Sequence, residues 1–138
     1  MVKQFKDFPL FAKSIIFFYT VGYLVMLIYH ISEVINLGFF SRNVPFVVNI
    51  WYDALGFLII PIVLVLLYAR PQIGLVTSAV VMMITFIFDA LIRYILLDES
   101  YANWFYFFEI SFAILVMASF PVMRFLVKPK NASEKYYA

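Results

Sequence analysis

Apolar residues fill this chain in four long runs, separated by short stretches that collect proline, glycine and charge. Each run reaches the roughly 20 residues that an α-helix needs to cross a bilayer core. The pattern predicts an all-α fold, an integral membrane four-helix bundle built as two transmembrane hairpins. The helices are expected over about 13–37, 49–69, 74–97 and 104–127. A basic leader covers residues 1–12, and a polar tail covers 128–138. Arg70-Pro71-Gln72-Ile73-Gly74 reads as a tight turn, because Pro and Gly punctuate it. The longer loop before helix 2 carries Arg42 and Pro45, and the loop before helix 4 carries Asp98 and Glu99.

Composition agrees with that pattern. Of 138 residues, 66% are hydrophobic and 13% charged, against roughly 25% charged in soluble domains. Aromatics reach 21%, and Trp51, Trp104 and many Tyr fall near predicted helix ends, as in interfacial belts. A net charge of +2 is too small to point to nucleic acid. With no cysteine, disulfides, thiol redox chemistry and thiolate metal sites are excluded. Lys3, Lys6 and Lys13 precede an apolar run, as in a signal peptide. No small-residue cleavage pattern follows and the run is too long, so a retained signal-anchor helix is expected.

Orientation follows from the basic residues beside the spans. Lys3, Lys6, Lys13, Arg70, Arg124, Lys128, Lys130 and Lys135 fall on one side, and only Arg42 on the other. Both termini are therefore expected in the cytoplasm, with the protein in the cell membrane (the inner membrane if bacterial). That bias argues against a dual-topology transporter, which needs balanced loops. The sequon Asn131-Ala132-Ser133 then lies on the wrong side for glycosylation.

Candidate chemistry sits at the opposite end. Helical spacing places Tyr19, Tyr23, Met26, His30 and Glu33 on one stripe of helix 1, and Asn49, Asp53, Gly56 and Ile60 on one face of helix 2. Ser78, Met82, Thr85, Asp89 and Arg93 share a face of helix 3, and Phe105, Glu109, Ala113, Val116 and Phe120 one of helix 4. Intramembrane charges are costly and usually face a bundle interior or a wet cavity. The set His30, Glu33, Asp53, Asp89, Arg93 and Glu109, with Tyr23 and Asn49, is thus the candidate ligand-binding group. Asp89 and Arg93 stand four apart with the acid first, the favourable order for a helical ion pair. Four acids against Arg93 leave −3, or −2 with His30 protonated, so protons, water or a cationic ligand must offset the excess.

His30 and Glu33 are also the candidate catalytic pair, since a histidine and a carboxylate suit acid/base work. Di-iron bundles need two Glu-x-x-His motifs, and this chain has one reversed His-x-x-Glu and a single histidine. No cofactor is implied and haem with two histidine ligands from one chain is excluded; no metal is assigned, though a carboxylate-rich site with one histidine leaves zinc, iron or manganese open. Pro61 lies inside helix 2 and frees the Phe57 carbonyl, which is expected near the cavity floor. Tyr19, Tyr23, Phe57 and Phe105 are the expected apolar walls. Asn49-Ile50-Trp51-Tyr52-Asp53 and Asn103-Trp104-Phe105-Tyr106 through Glu109 open two helices alike, which hints at two related hairpins.

His30-x-x-Glu33 in a small four-helix membrane chain resembles the family named for a His-x-x-Glu-Glu motif, with Val34 in place of its second glutamate. The layout, with Trp51, Asp53 and Pro61 in helix 2, also resembles the EXPERA domain of the sigma-2 receptor and emopamil-binding proteins. That resemblance implies a membrane bundle whose buried acids bind sterols or cationic amphiphiles, and it transfers no catalytic residue. The function expected is a membrane binding protein with an acidic, histidine-bearing pocket for a lipid-like or cationic small molecule. The alternatives are a non-catalytic subunit of a larger membrane complex or homo-oligomer, and a lipid-directed enzyme using His30 and a carboxylate. The lipid bilayer is the one partner that every alternative shares.

Overall fold

Proline sets where these helices begin. In the computed structural model, which describes residues 5–92 and 104–128, α1 spans Leu10–Leu37 directly after Pro9. Helix α2 spans Phe46–Ala69 directly after Pro45, and α3 spans Pro71–Leu91 with proline as its first residue. Pro71 lacks the N–H that a first helical turn leaves unpaired, and its fixed φ suits a helix. Pro9 and Pro45 instead stand just outside as caps, and their carbonyls accept from the Lys13 and Asn49 N–H groups. The three helices therefore start at 10, 46 and 71, earlier than the expected 13, 49 and 74. Prolines that read as breakers in the sequence act here as starters. Helix α4 spans Trp104–Val127, within the bounds expected. Arg93, the expected end of α3 and the loop with Asp98 and Glu99 lie outside the described residues, as does most of the tail.

Among the described residues there is no strand, and four helices are long and apolar enough to cross a membrane. They are compatible with a small multi-pass membrane protein. Large side chains such as Phe17, Ile28, Leu58, Val65, Ile87 and Leu115 point outward all round the bundle. Lipid solvates such a surface, whereas water would not.

Inside, Ile16, Tyr19, Tyr23 and Met26 of α1 meet Leu55, Ile60 and Val63 of α2, Val81 and Met82 of α3, and Ala113 and Val116 of α4. Hydrogen bonds cross this core. Tyr19 donates to the Val116 carbonyl (3.1 Å) and lies 2.5 Å from Ser119 Oγ. Tyr23 lies 2.5 Å from Ser78 Oγ. Such bonds join helices where apolar packing against lipid gives no preference for a partner helix.

Two backbone features shape the bundle. In α2 a π-helical turn, Leu55–Ile59, precedes Pro61, and the Ile60 N–H reaches back to Leu55 O. The wider turn accommodates a residue that cannot donate. At the α2–α3 hairpin, Arg70 N–H bonds Leu66 O at 2.8 Å and Gly74 N–H bonds Arg70 O at 2.9 Å. A Cβ on Gly74 would stand 2.6 Å from the Leu66 carbonyl carbon, so the hairpin closes only around glycine.

Candidate functional site

The segment between α1 and α2 folds back as a strap over one end of the bundle. Gly38 ends α1 at φ 87°, its N–H bonded to Val34 O at 2.9 Å. Phe40 holds φ 54°, unusual for a residue with a side chain. Its N–H donates to Asp53 Oδ2 at 2.9 Å, which pins that conformation. Asn49 then clamps the strap, accepting from Arg42 N–H (3.2 Å) and donating to the carbonyls of Arg42 (2.9 Å) and Val44 (3.1 Å).

This clamp aims Arg42 inward. Its Nε and Nη2 donate to Glu33 Oε2 at 3.2 and 2.7 Å, and Nη1 donates to Asp53 Oδ1 at 2.7 Å. The guanidinium also lies 5.2 Å from the Tyr52 ring centroid. Burial disfavours its charge, but hydrogen bonds to Asp53 and Glu33 outweigh that and raise its pKa above the ordinary value. Arg42 is therefore a permanent cation tying the strap to α1 and α2.

Beside it, His30 is 2% exposed. Its Nε2 lies 3.0 Å from Glu109 Oε1, which ties α1 to α4. Its Nδ1 lies 3.7 Å from Glu33 Oε2 and has no hydrogen-bond partner among the described residues. The ring stacks on Tyr52 (5.5 Å, 26°) and takes the edge of Phe105 (5.6 Å, 86°). Helix α2 comes this close because Gly56 offers no side chain: a Cβ there would stand 3.0 Å from His30 Cβ. The Nε2–Glu109 contact needs one proton between the two atoms, carried by either partner. The second ring nitrogen, Nδ1, is buried on the Glu33 side of the ring.

That cleft holds about 200 Å³. His30, Glu33, Arg42 and Glu109 are its polar lining, and Tyr29, Tyr52, Phe105, Tyr106, Val44 and Ile92 complete the walls. Tyr29 and Phe105 stack face to face, 3.4 Å apart and 7° from parallel. Behind the wall, Asp89 is fully buried. Tyr52 donates to its Oδ1, and Tyr106 donates to its backbone carbonyl.

The residues singled out from sequence thus divide by position. His30, Glu33 and Glu109 meet at the cleft. Asn49 and Asp53 hold the strap behind Arg42, and Asp89 anchors Tyr52 from the far side. Arg93 lies outside the described residues. Tyr23 does not line the cleft; its hydroxyl is engaged by Ser78 deeper in the bundle. Of the expected walls only Phe105 is one: Tyr19 bonds toward Ser119, and Phe57 is 48% exposed and turned outward.

Arg42 corrects the expected charge excess, since it pairs with two of the acids at once. From sequence alone Arg42 reads as a topology marker, although it lies beside the acid-rich ends of the helices. Tyr29, Tyr52 and Tyr106 were hidden among belt aromatics. Even with Arg42 counted, Glu33, Asp53, Asp89 and Glu109 outnumber the cationic side chains of the described site. Glu33 and Glu109 approach opposite nitrogens of His30. Among the described residues, no three His or carboxylate side chains are grouped to hold a metal ion.

No family model, curated protein or solved structure matches the chain.

Proposed function

We propose that the chain is a small multi-pass membrane protein that binds an amphiphilic small molecule, lipid-like or cationic, in the strap-covered cleft. The observation that carries this is the unpartnered, buried Nδ1 of His30, a residue that lines the cleft together with two carboxylates, Arg42 and aromatic rings. A buried polar atom without a partner is costly, and a ligand head group that bonds it removes the cost. Binding sites of this type combine mostly apolar walls with few oriented polar groups. The cleft holds about 200 Å³. It admits a head group and leaves an apolar tail along the lipid-facing surface. With both termini cytoplasmic, the cleft opens in the non-cytoplasmic half of the membrane.

Native mass spectrometry of the protein released from mild detergent, at neutral and acidic pH, tests the proposal. A retained mass of small-molecule size that falls off when the carboxylates are protonated supports it. A bare chain at both pH values, with lipid extracts supplied, contradicts it.

The His30–Glu109 pair favours one further reading. A carboxylate that orients an imidazole whose other nitrogen is free is the arrangement of a general base. A lipid consumed by the wild-type protein and untouched by His30→Ala, with folding intact, supports that reading over simple binding.

A further inference from the structure

Arg42 lies between two carboxylates that differ in accessibility. Asp53 is 6% exposed, lies outside the cleft lining and is also bound to Phe40 N–H. The Glu33 side chain is 25% exposed and forms part of the lining. The guanidinium gives Nε and Nη2 to a single oxygen, Glu33 Oε2, and only Nη1 to Asp53. That same Glu33 oxygen lies 3.7 Å from His30 Nδ1. The most accessible acid of the cleft is therefore satisfied by a cation of the chain's own, set over an aromatic face as a bound ammonium would be. Asn49 bonds the backbone of Arg42 and not its guanidinium, so moving the side chain leaves the clamp intact.

We infer that Arg42 is a tethered, displaceable occupant of the cleft's cation position. A protonated amine head group takes Glu33 and the Tyr52 face, and Arg42 withdraws onto Asp53. This rests on the reading of the cleft as a site for a cationic head group. The exchange leaves Glu33 paired throughout, so it avoids the large cost of a buried carboxylate losing its only partner. Asp53 keeps Arg42 paired in turn. A neutral head group of the same shape has nothing to offer Glu33 and leaves Arg42 in place. Affinity for amines in the wild-type protein is then set low by internal competition.

The test is isothermal titration of N,N-dimethyloctylamine into the protein in phosphatidylcholine nanodiscs. Empty nanodiscs are subtracted, and 1-octanol serves as the neutral control of equal chain length. Arg42→Gln is expected to tighten amine binding by about tenfold or more while octanol binding stays unchanged. Glu33→Gln is expected to abolish the preference for amine. Should Arg42→Gln not fold, Arg42→Lys, which cannot grip two carboxylates in a fork, is expected to tighten it roughly threefold. If the wild type binds the amine and the Arg42 variants bind it no more tightly, Arg42 is a fixed wall and the displacement is wrong, while the cleft reading stands. If neither the wild type nor any variant binds the amine, the cation site itself is wrong and the displacement falls with it.

Discussion

Gly56 packs against His30 so closely that a methyl group added to it would stand 3.0 Å from the His30 Cβ and 3.4 Å from the Ile31 nitrogen. The π-helical turn of α2 begins beside this contact, and the His30–Glu109 bond lies on the other side of the imidazole. Gly56→Ala is expected to push α1 away and lengthen the bond to Glu109. Overpacking of this kind costs about 1–3 kcal/mol. Thermal unfolding in detergent reads the loss, and an unchanged midpoint would show that the contact relaxes freely.

The two sides of the His30–Glu109 bond are not equivalent under mutation. His30→Ala strands a buried carboxylate, and removing one partner of a buried pair costs about 3–5 kcal/mol. Glu109→Gln keeps an oxygen to accept the bond and is expected to cost less than half as much. Chemical denaturation of both variants checks the order. Equal losses would mean that the pair contributes packing and no charge-dependent bond.

Asn49 makes three hydrogen bonds to the strap, at 2.9 to 3.2 Å. At about 1 kcal/mol each, Asn49→Ala is expected to release the strap while the four helices persist. Hydrogen exchange over residues 38–45 should accelerate, with exchange in α3 and α4 unchanged. Equal protection in variant and wild type would mean that Asp53 and Arg42 hold the strap without it.

Sidedness is testable because the chain has no cysteine of its own. Phe40→Cys and Lys128→Cys place single thiols at exposed positions near opposite ends of the bundle. A membrane-impermeant maleimide is expected to label Phe40→Cys from outside and Lys128→Cys only after the membrane is opened. The reverse pattern would overturn the assignment of both termini to the cytoplasm.

How much was legible in the sequence differs between the helices and the site. The four helices were plain because each is a long apolar run, of a length and hydropathy that fit a membrane span. Their inward faces were also plain, since helical period lines up Asn49 with Asp53 and Ser78 with Asp89. Helix starts were misplaced because Pro45 and Pro71 carry the same letter whether they break or begin a helix. Arg42 was missed for a different reason: its role depends on the strap folding back, which Asn49 and the Phe40 N–H–Asp53 bond decide. Tyr23 shares the helical stripe of His30, yet it sits deeper and already has Ser78. Periodicity gives a face and leaves depth and partner open.

His30 is the chain's only histidine, so ¹⁵N-histidine NMR of the protein in nanodiscs reports on the cleft through a single pair of ring nitrogens. The Nε2 signal is expected to be that of a nitrogen bonded to Glu109, both before and after ligand is added. On addition of N,N-dimethyloctylamine or an extracted membrane amphiphile, the Nδ1 signal should move saturably, and Glu33→Gln should weaken the response to the amine. A His30 signal that no amphiphile moves, in a protein shown to be folded, would contradict the assignment of this cleft as a binding site.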